Sequence, residues 1–206
     1  SIFCPIVRPG EVIGTILPEI AEATGLHPDV RIIAVGSHDT ASAVNAVTLD
    51  SRTAFLSSGT WSLLGIGLPG PVTTPEAAAA GYANEGGTDG ILFLQNITGL
   101  WILQQLVEQW SLQNLTCDYP SLVEMAEKAV AHGDMQRKIL RYCADNGLKA
   151  PETRGETVRI VLQSLAARYR RVLDEMEAAT GRQISRLHII GGGSRNRLLN
   201  RLTEET

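Results

Sequence analysis

Between Thr53 and Pro75 the chain runs for 23 residues without a charged side chain. A stretch of that length is long enough to cross a bilayer, so it has to be assigned first. Its interior excludes a spanning helix. Ser57, Ser58, Gly59, Thr60, Gly65, Gly67, Pro69, Gly70 and Pro71 interrupt the apolar residues throughout. Lipid leaves no partner for the backbone groups that such breaks would free. What survives is a pair of strands, Arg52 to Ser57 and Ser62 to Gly67, joined by a tight turn at Ser58-Gly59-Thr60.

The segments around this pair fix the class. Arg31 to Val35 is apolar and β-branched and reads as a buried strand bounded by Gly36. After it, Ser37 to Thr40 offers polar caps for a small-residue helix over Ala41 to Ala46. Thr74 to Ala83 fits either a loop or a short helix, and Ile91 to Gln95 a short strand. From Gly99 the period changes to 3.6. Leu100, Leu103, Leu106, Val107 and Trp110 share one face of a helix. Two further helices are expected over Ser121 to Ala131, after Pro120, and over Asp134 to Asp145. The longest runs from Glu156 to Thr180, with Val158, Val161, Leu162, Leu165, Tyr169, Val172 and Met176 on one stripe and Gly181 ending it. Leu187 to Ile190 is a strand, and Gly191-Gly192-Gly193 leads into a last helix from Ser194. The sum is an α/β layer fold with a mixed sheet.

Charge narrows the partners. Lys and Arg number 18 against 22 Asp and Glu, a net charge of −4 with no basic run. Phosphate neutralisation by clustered cations is absent, which excludes a nucleic-acid surface and polybasic membrane docking. Cys4, Cys117 and Cys143 are scattered, without C-x-x-C pairing. No metal site or disulfide framework is expected. No basic-then-apolar leader is visible, and the expected setting is the cytoplasm.

Four places can carry chemistry. Ser37-His38-Asp39-Thr40 follows a strand, where α/β sheets gather reactive groups. Asp39 there can accept a hydroxyl proton, or it can simply cap a helix. The Ser58-Gly59-Thr60 turn can aim N–H and O–H groups at a phosphate, or be an ordinary hairpin. It lacks the lysine of a P-loop and is not a nucleophile elbow. Asn96, at a strand end, and Gln104, two turns into a helix, carry uncharged amides suited to sugar hydroxyls or base edges. Trp101 between them reads as core. Gly191-Gly192-Gly193, followed by Ser194-Arg195-Asn196, lets a ligand approach the backbone at a helix start.

Taken together and in order, SHDTASAV (37–44), SSGTWSLLG (57–65), NEGG (84–87), NITGLWILQQ (96–105) and GGGSRNRLLN (191–200) resemble the FGGY carbohydrate kinases. Within that family they are most similar to members acting on L-rhamnulose. The similarity begins at PIVRPGEVIGTI (5–16). It implies an actin-like, ribonuclease-H-like ATPase domain, a mixed β-sheet flanked by helices. It also implies transfer of the ATP γ-phosphate to the 1-hydroxyl of L-rhamnulose, with Mg²⁺. Position by position, Asp39 is then the catalytic base. His38, Asp39, Thr40 and Asn96 touch the sugar. Gly59, Thr60, Gln104, Gly191, Gly192, Gly193 and Asn196 touch the nucleotide.

The resemblance further implies that residues 1–206 are the carboxy-terminal nucleotide-binding domain of a two-domain kinase. The amino-terminal domain and the final elements would be missing, and a stretch would be lost near His132-Gly133-Asp134. Such a segment alone should be inactive. Competing readings are a kinase for another ketose, such as fuculose or xylulose, and a non-catalytic actin-like nucleotide-binding module.

Overall fold

The computed structural model describes residues 2, 4–36, 38–112 and 151–206. The helices expected over Ser121 to Ala131 and Asp134 to Asp145, the His132–Asp134 stretch, Ser37, Cys117 and Cys143 lie outside the described residues.

The uncharged stretch forms β3 (Thr53–Ser58) and β4 (Trp61–Leu68), paired antiparallel from Ala54↔Ile66 to Ser58↔Ser62. On the far side of β4 lies β6 (Ile91–Thr98), and outside that β5 (Tyr82–Gly86), both antiparallel to their neighbours. On the far side of β3 lies β7 (Arg186–Ile190), parallel to it, with Ser57 opposite Ile190. The sheet order is β5-β6-β4-β3-β7, a mixed sheet as expected. β6 is longer than its apolar run because Asn96, Ile97 and Thr98 continue to pair with β4. The ambiguous Thr74–Ala83 segment resolves into helix α3 (Pro75–Ala79), capped by Thr74 and followed by β5.

Strand alternation divides the core. Ala54, Leu56, Leu64, Ile66, Phe93 and Ile97 face three helices: α4 (Trp101–Leu112), α5 (Arg154–Thr180) and α6 (Arg197–Glu205). The expected α5 stripe is buried at every position, Val158 through Met176. The helix starts in a capping box, Thr153 accepting from the Glu156 N–H at 3.2 Å, and ends at Gly181 with φ 68°. Each device satisfies backbone groups that the ends of a 27-residue helix would leave open. Phe55, Leu92 and Leu94 face the other way, onto Ala41 and Val44 of α2 (Asp39–Val44).

Helix α1 (Pro18–Thr24) and the ribbon of β1 (Val12–Thr15) with β2 (Arg31–Ile33) correct one expectation. Arg31 to Val35 was expected to be a buried strand. Only Arg31–Ile33 is strand, all three residues are exposed, and Val35 is 73% exposed. An apolar run says that a strand seeks cover, not that the described residues supply it. Among the described residues β2 pairs with β1 alone, and every residue of both strands is exposed. Among the described residues no helix is long and apolar enough to cross a membrane.

Gly65 shows how tightly the central pair is packed. A Cβ there would lie 2.8 Å from the Phe55 ring, 2.7 Å from the Leu94 Cβ and 2.8 Å from the Phe93 carbonyl. Two of those neighbours are backbone or Cβ atoms that cannot rotate away. Gly65→Ala is therefore expected to destabilise the protein by about 1–3 kcal/mol, the usual cost of overpacking. Thermal unfolding of the variant beside the parent measures it; an unchanged Tm would contradict this packing.

Candidate functional site

The parallel strands β3 and β7 end side by side, and the carboxyl end of β6 lies one strand away. That common end is where the chain places its glycines. Gly191 adopts φ 82°, and a Cβ on it would meet the Ser58 carbonyl at 2.7 Å. A Cβ on Gly193 would lie 2.0 Å from the Ser58 Oγ and 2.7 Å from its Cβ. Gly192, between them, is exposed and has open space in front of it. Two of the glycines are thus demanded by packing, and the third presents bare backbone. A short 3₁₀ turn, Gly192–Arg195, follows.

The Ser58-Gly59-Thr60 turn is fixed from its other side by α4. The N–H groups of Leu100 and Trp101 donate to the carbonyls of Gly59 and Thr60 at 2.9 and 3.0 Å. Gln104, in the first turn of α4 rather than two turns in as expected, donates from Nε2 to the Thr60 Oγ1 at 3.2 Å. Since Thr60 accepts there, its own hydroxyl proton is left to point at a ligand. The Gly59 N–H instead donates to the Trp61 carbonyl at 3.0 Å, so that amide is spent inside the hairpin. Gly99 lets the helix come this close. A Cβ on it would meet the Ser62 Oγ at 2.6 Å and the Gly59 carbonyl at 2.7 Å.

Thr60, Gln104 and the triple glycine, separated by up to 133 positions in sequence, therefore meet around one turn. The start of α4 adds the positive end of its dipole. Asn196 is buried, and its Oδ1 accepts the Leu199 N–H at 3.0 Å as the cap of α6. Its side-chain oxygen is therefore engaged in holding that helix.

The remaining candidates lie apart from this turn. His38 caps α2, its Nδ1 accepting the Thr40 N–H at 3.2 Å, and the Asp39 Oδ1 accepts the same N–H at 2.7 Å. The cap is His38 rather than Asp39 or Thr40. The Asp39 carboxylate is 95% exposed, 3.3 Å from His38, and open to a substrate. Thr40 is buried. Asn96 is exposed and shares its side of the sheet with Leu92 and Leu94, the side on which α2 packs. β6 has no β5 partner beyond Gln95, so among the described residues Asn96 stands at an open edge. It helps line a hollow of about 410 Å³ with Thr98, Ser164 and Arg168.

Two features were missed in the sequence. Trp101, expected in the core, is 44% exposed at the first position of α4, and Trp61 beside the turn is 54% exposed. Tyr169 appeared only as a core position. Its hydroxyl lies 2.7 Å from the Ser62 Oγ beneath the turn, and both residues are buried. Burial pushes the Tyr169 phenol above its ordinary pKa, while the Ser62 and Ser58 hydroxyls pull it back. A tyrosine on an otherwise aliphatic stripe was the available signal, since a buried phenol needs a partner.

Residues 54–203 match the FGGY family of carbohydrate kinases, C-terminal domain. The chain belongs to that family. It is 43% identical to a rhamnulokinase of Bacteroides thetaiotaomicron over 98% of its own length, and 37% identical to one of Pectobacterium carotovorum over 95%. It spans 44% and 41% of those relatives, less than half of each. Among solved structures, a xyloylose kinase from Brucella ovis superposes over 96% of the chain with a TM-score of 0.73 and 19% identity. That likeness carries the fold, the actin-like α/β sheet flanked by helices. Sugar kinases of this family use ATP.

Gly193→Ala should separate Ser58 from the 3₁₀ turn, because its Cβ has no room. Expected results are a lower Tm and a loss of ADP binding by calorimetry. Gly192→Ala, whose Cβ would meet nothing within 4 Å, should leave Tm unchanged and weaken binding only. Equal behaviour of the two variants would contradict the division of roles.

Proposed function

We propose that this chain is the nucleotide-handling half of an ATP-dependent kinase that phosphorylates the 1-hydroxyl of L-rhamnulose, giving L-rhamnulose 1-phosphate and ADP. The observation that carries the reading is the meeting of Thr60, Gln104 and Gly191–Gly193 at the carboxyl ends of parallel strands, inside the matched family region. The sugar assignment draws on the 43% identity to a rhamnulokinase over nearly the whole chain.

In this proposal the Thr60 hydroxyl and the backbone at Gly191–Gly193 receive the nucleotide phosphates, and Gly59, whose N–H is engaged inside the hairpin, shapes the turn they approach. Gln104 holds Thr60 in place, and Asn196 fixes the helix behind the glycines. Asp39 takes the proton from the sugar 1-hydroxyl as that oxygen bonds to the γ-phosphorus and the bond to the leaving ADP oxygen breaks. His38, Thr40 and Asn96 orient the sugar hydroxyls, which supplies the positioning that phosphoryl transfer needs most.

Magnesium is expected with ATP, where it would neutralise phosphate charge. Among the described residues no group of three or more His, Cys, Asp or Glu side chains could hold a metal ion. These residues do not fit a resident metal site, and the roles proposed for them involve protein groups alone. The proposed partner is an amino-terminal domain that closes over Asp39 and covers the apolar ribbon. Ile6, Ile13, Leu17 and Val35 are each at least half exposed, and the curated relatives are more than twice as long as the match. Catalysis is assigned to the two halves together, in the cytoplasm.

Asp39→Asn in the intact protein keeps the shape and removes the base. Its kcat for L-rhamnulose is expected to fall by on the order of 10²–10⁴, with ADP affinity unchanged. Unimpaired turnover would refute the assignment of the base. Equal or higher kcat/KM for fuculose or xylulose would redirect the sugar assignment.

A further inference from the structure

We infer that Tyr169, on the long helix α5, is a positioning residue for the nucleotide turn, acting through the Ser62 hydroxyl. The inference rests on the nucleotide reading of that turn and adds a residue to it. Phenylalanine would fill the same apolar stripe equally well, since Val158, Leu165, Val172 and Met176 around the helix are wholly nonpolar and buried. What tyrosine adds is one hydroxyl, and it is 2.7 Å from the Ser62 Oγ, 107 positions away.

Ser62 occupies the point where the turn could shift. It is fully buried, it pairs across the hairpin with Ser58, and its Oγ lies against Gly99. Gly99 precedes Leu100 and Trp101, whose amides at the entry to α4 hold the carbonyls of Gly59 and Thr60. A single hydrogen bond thus ties α5 to β4 where β4 leaves the turn. The contact reaches Thr60 and Gln104 without touching a ligand. Opposite it, Ser58 is held by Gly191 and Gly193. Removing the phenol hydroxyl leaves the Ser62 hydroxyl buried without that partner, and the turn gains the freedom to relax towards another one. Nothing in this linkage extends to Asp39, which sits on α2 across the sheet.

The test uses the intact protein and two variants, Tyr169→Phe and Ser62→Ala, which break the same bond from either side. ADP affinity is read by calorimetry, and KM is read separately for ATP and for the sugar. The expected result is a loss of about tenfold in ADP affinity and a matching rise in KM for ATP in each variant, with KM for the sugar unchanged. The double variant should be no worse than Tyr169→Phe alone, because that change already removes the phenol hydroxyl on which the contact depends. Unchanged ADP affinity in either folded variant would overturn the inference. So would an equal rise in both KM values, which is the mark of general structural loss. If Tyr169→Phe fails to fold, Ser62→Ala carries the test. A parent protein that does not bind ADP at all overturns the proposed function, and this inference with it.

Discussion

The contact on which the site depends is the approach of the Gly191–Gly193 backbone to Ser58, where parallel strands β3 and β7 end together. No side chain larger than hydrogen fits at either outer glycine, so the approach is available only to this residue type. Because the two strands are parallel, both chain directions reverse or turn at the same edge of the sheet. The hairpin turn on one strand and the 3₁₀ turn on the other are therefore neighbours by construction. The register Ser57↔Ile190 sets which residues meet. A slip of one residue would send Phe55 and Leu56 to the wrong faces and misalign the glycines together.

Everything else at the turn is support for that meeting. The Leu100 and Trp101 amides at the entry to α4 lock the carbonyls of Gly59 and Thr60, and α5 braces Ser62 from below. The supporting helices are in turn held by a continuous core that runs from Leu56 and Leu64 through Leu103 and Leu162 to Leu198. The turn is thus held firmly from two sides, and a site built this way has less ordering to do on binding. Asp39 lies in a different setting. It is exposed, on a six-residue helix, beside a ribbon with little cover.

Much of this was legible because it rests on local chemistry. The α5 stripe, Gly181 and the two strands around Gly59 follow from periodicity and backbone preference, and they stand within a residue or two of their expected ends. The exposure of Arg31–Ile33 was not legible, because an apolar run looks the same whether or not its cover is present. Nor was the use of the Gly59 N–H inside the hairpin, which depends on the turn's geometry rather than its composition. Tyr169 illustrates a third kind of gap. Helical spacing placed it on the buried stripe, yet its partner lies 107 positions away, and only the pairing of strands with helices brings the two together. The candidate residues Thr60, Gln104 and Gly192 could be singled out one by one. Their assembly around one turn required the sheet order.

The proposed nucleotide site places the phosphates at the Thr60 turn and the Gly192 backbone. A crystal structure of the protein with ADP tests it directly. The account predicts phosphate oxygens within hydrogen-bond reach of the Thr60 hydroxyl and of the backbone at Gly192, with the Ser58–Gly193 contact intact. ADP bound instead in the separate hollow of about 290 Å³ beside Asn45, Thr88 and Asp89, with the Thr60 turn unoccupied, would contradict it.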